Sequence, residues 1–405
     1  MIDRVAFLSM HTSPLLQPGS GDAGGMNVYI DELSRTMASR GVAVDVYTRR
    51  RDPDEPTLIE VIPGYRVIHI DAGPPSPLPI SSLPRYVRTY ARQVIKHLEE
   101  DPPQIIHSHY WLSGWAGLLV KRRLGIPLAN SFHTLGRVKD GSRRPDDPPE
   151  SLLRIAAEHE VIEGSDCVMA STPIEAQELL EYYRADPGRL CTSPPGVDHK
   201  LFHPGSRSRA RQRLGVGPGP VVLFVGRIQP TKGPDVAVEA MPFIVERHPD
   251  TTLVVVGGPS GPRGDKELAA LRRRSVEMDL ASRVRFVGPV PHGLVPDLYR
   301  AADVVVVPSR SESFGLVAAE AQACGTPVVA ARIGGLIDVV DDGVTGILVD
   351  GWEPADHAAA VLRLLDDPEL AAKMGSAAVH WSRRFSWDAT VRRYLELYRG
   401  VLGGG

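Results

Sequence analysis

At 405 residues the chain is longer than one typical hydrophobic core supports, so we expect two or three domains. It is 42% hydrophobic and 23% charged and carries a formal net charge of −3, which argues against a nucleic-acid-binding surface. No apolar run of about 18 residues predicts a membrane span, and the chain begins with a strand-like segment rather than a secretory signal. A cytoplasmic enzyme is the expectation.

The first half of the chain alternates between strand-like and helix-like segments. Predicted strands lie at residues 5–10, 42–48, 65–70, 104–107, 127–131 and 166–170. Predicted helices lie at residues 24–40, from the proline-rich loop 74–84 to about residue 99, and at 111–124, 151–163 and 173–183.

The pattern restarts after residues 204–220, a stretch rich in Gly, Pro, Ser and Arg that we interpret as a linker. Predicted strands follow at residues 221–225, 252–256, 284–286, 304–307, 328–330 and 347–349. Predicted helices lie at residues 234–247, 265–278, 296–301 and 387–401, with two more within 354–382.

Such alternation is typical of parallel sheets covered by helices on both faces. The sequence therefore predicts an α/β protein with two doubly wound, Rossmann-like domains facing each other across a cleft. We expect the domains at residues 1–203 and 204–384, with the last helix, about 385–405, packing back on the first domain. Ligands of such sheets bind outside the carboxyl ends of the strands, where we look for chemistry.

The cysteines and the arginine runs indicate no special chemistry. Cys167, Cys191 and Cys324 show no paired spacing, so neither a disulfide framework nor a thiolate zinc site is indicated, and each is predicted to be a small core residue. The arginine runs at 49–51 and 272–274 lack interleaved aromatic residues and favour solvated faces.

A glycine-rich loop follows the first predicted strand. Gly19, Gly21 and Gly24 fit a dinucleotide-binding spacing, with Asp45 near the position of a ribose-binding acid. The strand ends too early for the tight turn of that fingerprint, however, and Asp45 lies inside the second strand. Gly24 and Gly25 open a helix, so their amides could approach a diphosphate instead. The alternative is a glycine-rich turn without a ligand.

Two cations, Arg227 and Lys232, follow the strand at 221–225 and frame the next helix start. Arginine supplies a planar fork for phosphate oxygens and lysine a point charge. The pair could therefore neutralise a diphosphate leaving group without a metal ion. An exposed basic turn is the alternative interpretation.

Glu312 and Glu320 lie in the stretch 309–327, which follows the valine-rich strand 304–307. A loop that leaves a parallel strand and enters a helix presents free backbone N–H groups at the positive end of the helix dipole. Such amides can hold sugar hydroxyls and phosphate oxygens, and each carboxylate can accept hydroxyl hydrogens. The stretch favours a nucleotide sugar as ligand; two solvated helix-start charges are the alternative.

His133 lies at the carboxyl end of a predicted strand, and His107 and His109 follow another. A lone histidine is more often structural than catalytic, and no carboxylate or thiolate clusters with this pair. Hydrogen-bonding roles are therefore preferred to a metal site. Asp52 and Asp54 lie in a loop rich in Arg and Pro and are interpreted as a solvated turn.

Two motifs after strands carry a resemblance that extends over nearly the whole chain. They are Gly226-Arg-Ile-Gln-Pro-Thr-Lys-Gly233 and Glu312-Ser-Phe-Gly-Leu-Val-Ala-Ala-Glu320, in addition to the pair Gly24-Gly25. With them the chain resembles the retaining glycosyltransferases of family four, which have the two-Rossmann GT-B architecture. The segments 11–14, 21–27, 107–114 and 133–135 are similar to the branch that transfers N-acetylglucosamine from UDP to an inositol phosphate in mycothiol synthesis.

The resemblance implies roles for the residues on the donor side. Arg227 and Lys232 would hold the diphosphate and stabilise departing UDP, and Glu320 would bind the ribose hydroxyls. Glu312 would hold the hydroxyls of the donor sugar together with the amides of Ser313, Phe314, Gly315 and Leu316. Gly24 and Gly25 would contact phosphate, and His133 would lie beside the donor sugar. The implied catalytic set is His133, Arg227, Lys232 and Glu312, with no metal ion and no cofactor.

The resemblance also implies an acceptor site formed by Asn27, Tyr110, Thr134 and Arg154, the last three at the acceptor phosphate. One departure matters, because a phosphate-binding lysine of the related enzymes is replaced by Ile80, and the loop 73–84 contains no lysine. A charge-assisted phosphate contact contributes roughly 1.5–3 kcal/mol. We therefore expect an acceptor that depends less on phosphate, such as an unphosphorylated cyclitol or another sugar.

The sequence thus predicts a retaining, metal-independent glycosyltransferase that moves N-acetylglucosamine or glucose from a UDP-sugar to a hydroxyl of a small polyhydroxyl acceptor, a cyclitol or an inositol-phosphate-like molecule. No nucleic-acid partner is expected, and a homodimer is possible. Three alternatives remain open: a transferase of the sucrose-phosphate synthase type, a nucleotide-dependent oxidoreductase, and a non-catalytic nucleotide-sugar-binding protein.

Overall fold

The structure is a computed structural model that describes residues 2–19, 21–261 and 263–403. Within these ranges the strands form two sheets, the first of eight strands and the second of six. The first contains β1 (Arg4–Ser9), β2 (Ala43–Arg49), β3 (Leu58–Ile62), β4 (Tyr65–Ile70), β5 (Ile105–His109), β6 (Leu128–Ser131), β7 (Cys167–Ala170) and β8 (Leu190–Thr192). The second contains β9 (Val221–Val225), β10 (Thr252–Val256), β11 (Val284–Gly288), β12 (Val304–Val307), β13 (Val328–Ala331) and β14 (Gly346–Val349).

Helices cover both faces of each sheet. Those between the strands of the first sheet are α1 (Gly25–Ser39), α2 (Val87–Glu100), α3 (Trp111–Leu124), α4 (Gly136–Gly141), α5 (Leu152–Gly164) and α6 (Pro173–Tyr183). The others are α7 (Arg207–Leu214), α8 (Pro234–Glu239), α9 (Met241–Arg247), α10 (Gly264–Glu277), α11 (Val295–Ala301), α12 (Leu316–Ala323), α13 (Leu336–Val339), α14 (Pro354–Asp366), α15 (Pro368–Ser382) and α16 (Trp387–Gly403). No helix of the described ranges is long and apolar enough to cross a membrane.

Strand order fixes where each sheet can bind a ligand. The first sheet runs β3-β4-β2-β1-β5-β6-β7-β8, and only the β3–β4 pair is antiparallel; the second, all parallel, runs β11-β10-β9-β12-β13-β14. The order reverses between β1 and β5 in the first sheet and between β9 and β12 in the second. Doubly wound sheets bind ligands at such switch points, outside the carboxyl ends of the strands.

The two faces of the first sheet have separate cores because neighbouring side chains of a strand point to opposite faces. Leu8 of β1 packs under α2 and α3, whereas Val5 and Phe7 pack with α1. Tyr394 and Tyr398 of α16 belong to this second core. The last helix therefore packs on the first sheet, although it follows the second sheet in sequence.

The chain crosses between the sheets twice, and the two crossing segments lie side by side. The Val197 N–H donates to the Phe385 carbonyl at 3.2 Å, and His199 Nε2 lies 2.9 Å from the same oxygen. Gly196 approaches so closely that a Cβ there would overlap the backbone nitrogen of Trp387. This double crossing is the covalent connection between the two halves of the molecule.

The prediction of a linker at residues 204–220 is wrong, because α7 lies within it. The Ser206 hydroxyl caps the first turn, and Gly215 ends the helix with φ of 59°. Arg211 donates to a backbone carbonyl at the end of α11. The amphipathic pattern was weak because Ala210 is the one buried residue of this short helix.

Other differences from the predicted elements are smaller. The single helix expected at 234–247 is divided into α8 and α9, with Pro242 at the start of the second. The sequence also missed β3, β8 and α4, which have three to six residues each and weak periodicity.

The expectation that no disulfide forms is wrong for two of the three cysteines, although Cys167 is a buried core residue as predicted. Cys167 and Cys191 form a disulfide between the neighbouring strands β7 and β8, with their Cα atoms 6.1 Å apart. Sequence spacing could not show this, because strand pairing brings together residues that are 24 positions apart. Cys324 is a free, buried cysteine, as predicted.

Candidate active site

The loops at the two switch points face each other across the cleft. A Cβ on Gly24, at the start of α1, would lie 3.1 Å from Arg227 Nε, and one on Gly25 would lie 3.4 Å from Leu316 Cδ1. The first loop follows β1, whereas Arg227 and Leu316 follow β9 and β12. The pair of glycines therefore allows the walls of the cleft to approach, and it leaves backbone as the surface at this point.

Arg227 and Lys232 lie together on the wall formed by the second sheet. Lys232 Nζ donates to Glu312 Oε2 at 2.6 Å. Among the described residues, the Arg227 guanidinium makes only long contacts, 3.4 Å to the Asp22 carbonyl and 3.5 Å to Ser260 Oγ. Burial lowers the pKa of Arg227 from its usual value. Its donors are thus weakly satisfied and available to an anion.

The loop before α12 presents backbone rather than side chains. Gly315 has φ of 106°, a conformation that favours glycine, and α12 begins at the next residue, Leu316. Phe314 is buried and packs edge-on against Phe385 at 5.1 Å, so only its backbone can serve a ligand. The first N–H groups of α12 have no partner within the helix and open onto this loop.

Glu320 lies one turn inside α12 and is fixed by two partners. The Tyr299 hydroxyl donates to Glu320 Oε2 at 2.9 Å, and His292 Nε2 lies 3.5 Å from Oε1. An ionised carboxylate can accept further hydrogen bonds besides these. The predicted ribose-binding residue is therefore rigidly held and still has acceptor capacity.

His133 follows β6 and contacts the opposite wall of the cleft. Its carbonyl accepts a hydrogen bond from Ser313 Oγ at 2.8 Å, so a predicted donor-side residue meets a predicted catalytic residue across the two sheets. His133 has φ of 60° and Tyr110, after β5, has φ of 76°. Non-glycine residues rarely adopt this region, and such strain concentrates at functional sites.

Arg154 is the centre of the predicted acceptor site. Its Nε donates to Glu158 Oε1 at 2.8 Å, its Nη2 donates to Thr134 O at 2.9 Å and Oγ1 at 3.1 Å, and the guanidinium lies 5.2 Å from the Tyr110 ring centroid. Burial disfavours the charge, yet Tyr110, Glu158 and Glu150 raise the pKa of Arg154 above its usual value. Tyr110, Thr134 and Arg154 therefore do form one cluster.

Asn27 is placed differently from the other predicted acceptor residues. Its Oδ1 accepts the Gly24 N–H at 2.8 Å, and its Nδ2 donates to Thr12 Oγ1 at 2.7 Å and Ser13 O at 2.6 Å. The side chain is buried, and its amide already has partners for both ends. Asn27 thus shapes the loop after β1 and caps α1 in this structure.

Lys139 is a site residue that the sequence analysis missed. Its Nζ pairs with Glu150, and Glu150 Oε2 also lies 3.1 Å from Arg154 Nη1. Burial and the positive charges of Arg154 and Arg227 lower the pKa of Lys139, against the opposing effect of Glu150. Lys139 lies on α4, which was not predicted, and its sequence position gave no sign that it would reach Arg154.

His11 and Arg51 also lie on the side of the cleft formed by the first sheet. The His11 and Tyr110 ring centroids are 4.5 Å apart, and burial, with the positive charges of Arg227 and Arg51, lowers the pKa of His11 to about 3. Among the described residues, the Arg51 guanidinium has no hydrogen bond or ion pair. The interpretation of residues 49–51 as a solvated run is wrong for Arg49, which is buried and donates to two carbonyls of the loop 73–84.

The histidines after β5 and the aspartates at 52 and 54 make the kinds of hydrogen bond that were predicted for them. His107 Nδ1 lies 2.5 Å from Tyr398 Oη, and His109 Nδ1 lies 3.0 Å from His133 Nε2, which confirms hydrogen-bonding roles. Asp52 is exposed and accepts the Asp54 N–H in a turn. In the described ranges no group of three or more His, Cys, Asp or Glu side chains could hold a metal ion.

Comparison with protein families assigns both halves of the chain. Residues 24–196 match the family described as glycosyl transferase 4-like domain, and residues 206–381 match glycosyl transferases group 1. The D-inositol 3-phosphate glycosyltransferase 2 of Catenulispora acidiphila is 48% identical over 403 residues, covering 98% of this chain and 94% of the relative. The D-inositol 3-phosphate glycosyltransferase of Thermomonospora curvata is 45% identical over 414 residues, covering 99% and 96%.

Solved structures agree with the fold. Sucrose-phosphate synthase from Thermosynechococcus elongatus superposes with a TM-score of 0.93 at 33% identity, covering 100% of both chains. Anabaena HepE in complex with UDP and glucose has a TM-score of 0.79 at 21% identity, covering 98% of this chain and 99% of the other, which supports the fold alone. The predicted GT-B architecture is confirmed, and the chain belongs to the group 1 glycosyltransferases, the family-four enzymes.

Proposed function

We propose that this glycosyltransferase moves a sugar from UDP to an inositol phosphate, with retention of anomeric configuration and without a metal ion. One observation carries the proposal: each wall of the cleft holds a pair of cations. Arg227 and Lys232 lie on the second sheet, and Arg154 and Lys139 lie on the first. The two walls approach each other at Gly24 and Arg227, which brings the two pairs to one cleft. Two phosphorylated substrates suit this arrangement.

The donor would lie against the second sheet. Arg227 would contact the diphosphate directly, and Lys232 would exchange its ion pair with Glu312 for a phosphate oxygen as the ligand enters. Glu312 would then accept hydroxyl hydrogens of the sugar, and Glu320 those of the ribose. N-acetylglucosamine and glucose, the two donor sugars expected from the family resemblance, are the candidates.

The reaction itself needs no protein nucleophile. The acceptor oxygen attacks the anomeric carbon on the face from which UDP departs, as the carbon–oxygen bond to phosphate breaks and its electrons pass to UDP. A phosphate oxygen of the leaving group takes the acceptor proton. The contribution of the protein is to position the substrates and to stabilise the developing charge on UDP with Arg227 and Lys232.

The acceptor is proposed to be an inositol phosphate because the most similar relatives reported above carry that acceptor in their names. Arg154, Tyr110 and Thr134 would hold its phosphate, with Lys139 as a second cation. Ile80 stands where the related enzymes have a phosphate-binding lysine. This replacement favours a second candidate acceptor, an unphosphorylated cyclitol. Lys139 weakens that argument, since Arg154 is no longer the single cation beside the acceptor.

The likeness to sucrose-phosphate synthase, at 33% identity over the full chain, supports a further candidate acceptor, a sugar phosphate. We also propose that the reaction takes place in the cytoplasm. A homodimer remains a prediction.

Release of UDP from a panel of UDP-sugars tests the proposal. The panel is incubated in chelator with inositol 3-phosphate, inositol or a sugar phosphate, and Arg227→Ala serves as the inactive control. We expect UDP release that depends on acceptor, is fastest with inositol 3-phosphate and is unaffected by chelator. Release that requires added divalent metal contradicts metal independence. Tight UDP binding without acceptor-dependent release indicates a non-catalytic binding protein, and nicotinamide turnover indicates an oxidoreductase.

A further inference from the structure

His109 is buried beneath the site and contacts His133 through a ring nitrogen. The side chain of His109 has 0% exposure, and its Nδ1 lies 3.0 Å from His133 Nε2. The two rings are stacked with centroids 5.3 Å apart, and His107 stacks on the other face of His109 at 4.4 Å. His109 therefore cannot reach a ligand itself, but it can control the residue that does.

The proton between the two nitrogens can be assigned from the other atoms of the rings. Burial lowers the pKa of His133 to about 3 and holds the pKa of His109 well below its ordinary value, so each ring is neutral and carries one proton. His109 Nε2 is buried and has no hydrogen-bond partner among the described residues. A proton on that nitrogen would be a buried N–H without an acceptor, which folded proteins avoid more strongly than an unpaired acceptor. The proton of His109 is thus on Nδ1.

The position of the proton on His109 determines the tautomer of His133. If His109 Nδ1–H donates, His133 Nε2 must accept, and the proton of His133 is on Nδ1. Nδ1 of His133 has no hydrogen bond within the described ranges and is not among their buried, unpaired atoms. His133 itself lies at the cleft, because Ser313 of the opposite wall donates to its carbonyl.

We infer that His109 is a positioning residue that fixes His133 as the Nδ1–H tautomer, so that His133 presents a hydrogen-bond donor to an oxygen of the bound sugar nucleotide. The identity of that ligand rests on the proposed function; the tautomer does not. A phenylalanine at position 109 would keep the stacked ring and remove the donor. An asparagine would keep an N–H near the position of Nδ1, which makes it the rescue variant.

Nitrogen NMR of the free, full-length protein labelled with ¹⁵N-histidine tests the tautomer. His133 is assigned by comparison with His133→Asn, and His107→Phe controls for general disturbance of the stack. We expect His133 to show a protonated Nδ1 and an unprotonated Nε2 in the wild type and in His109→Asn, and to lose that preference in His109→Phe. A protonated Nε2 in the wild type overturns the inference, as does an unchanged tautomer in His109→Phe. If His109→Phe does not fold, the wild type and His109→Asn decide.

Kinetics then test the consequence for the ligand. Loss of one oriented hydrogen bond should lower kcat/KM for the UDP-sugar by about three- to tenfold in His109→Phe, with most of it restored in His109→Asn. Wild-type kinetics in His109→Phe overturn the donor role of His133. If the wild type turns over no UDP-sugar at all, the proposed function fails, whereas the NMR result still decides the tautomer.

Discussion

The ion pair between Lys232 and Glu312 joins two residues for which different parts of the donor are proposed. The 2.6 Å contact between Lys232 Nζ and Glu312 Oε2 holds the two side chains together, and both are partly shielded from solvent. In the proposed donor complex, Lys232 would exchange this carboxylate for a phosphate oxygen, and Glu312 would become free to accept hydroxyl hydrogens. Binding of the diphosphate and binding of the sugar would then be linked through this one ion pair.

Substitution of the cations tests this arrangement. Arg227→Ala and Lys232→Ala should each lower turnover by at least ten- to a hundredfold, because a lost charge-assisted contact costs roughly 1.5–3 kcal/mol. Folding should survive, since both residues lie in a loop at a strand end. Steady-state kinetics and a melting curve check this, with the exposed Lys373→Ala as a matched control. Near-normal turnover in either variant contradicts its assignment.

Glu175 makes folding stability depend on pH. It is buried at the start of α6, where it accepts the Ser171 N–H at 2.6 Å, and burial raises its pKa to about 7. Between about pH 4.5 and 7 the folded protein keeps a proton that the unfolded chain has released. Stability therefore falls as pH rises through this window, by on the order of 2–3 kcal/mol for this group.

Glu175→Gln should remove that dependence. We expect the variant to melt above the wild type at pH 8 and near it at pH 4.5, because the amide can still accept from Ser171 without a charge. Thermal melts at several pH values measure the difference, with Glu246→Gln at an exposed position as control. Equal differences at pH 4.5 and pH 8 would show that the charge of Glu175 does not set the effect.

At the scale of elements, the sequence predicts best where several signals agree. The valine-rich strands β9, β10 and β12 lie as predicted, as do α3 and α6, each bounded by Gly, Pro or a capping residue. The misses are elements with little apolar pattern, such as β3 on the sheet edge and the arginine-rich α7. In α7, Ser206 and Gly215 were readable as caps, but composition favoured a linker.

The same contrast holds for the site. Topology brings the loops at strand ends together, so the sequence could place Arg227, Glu312 and His133 at one cleft, and the structure does bring them there. Lys139 was missed because it reaches Arg154 only through the packing of α4 and α5. The burial of Asn27 was likewise not visible, since it depends on the path of the loop after β1.

The double crossing between the sheets depends on a glycine. Gly196→Ala would place a methyl group against the backbone nitrogen of Trp387. Neither backbone segment can move away from this overlap without pulling the two crossing segments apart. We expect a loss of roughly 1–3 kcal/mol in the free energy of unfolding, as for overpacked sites. Gly217→Ala, where a Cβ would meet nothing within 4 Å, is the matched control. Comparable urea midpoints for the two variants would contradict the packing argument.

For the molecule as a whole, residues 142–149 connect the halves across the cleft. Arg144 pairs with Glu267 on α10, and Arg263 Nη1 lies 2.9 Å from Asp147 Oδ1, while Asp147 also pairs with Arg144 at 3.2 Å. Asp147 and Glu267 are largely shielded from solvent, so these pairs are less screened than exposed ones. We interpret these ion pairs as contacts that hold the two halves of the molecule together across the cleft.

Asp147→Asn should weaken these contacts between the halves, because the Asp147 carboxylate pairs with both Arg144 and Arg263. We expect a larger radius of gyration by small-angle scattering, a compaction on adding UDP, and a several-fold higher KM for the UDP-sugar with little change in kcat. Asp146→Asn, at the exposed neighbouring position, is the control. A scattering profile and KM identical to the wild type would show that residues 142–149 do not control closure.

We propose that both pairs of cations serve one transfer between two phosphorylated substrates. Mass spectrometry with proton NMR of the product from UDP-N-acetylglucosamine and inositol 3-phosphate, in chelator, measures whether that transfer takes place. We expect a glycosylated inositol that keeps its phosphate, retention of the anomeric configuration of the donor, and one UDP released per product. Hydrolysis of the UDP-sugar without a glycosylated product, or a product with inverted configuration, would contradict it.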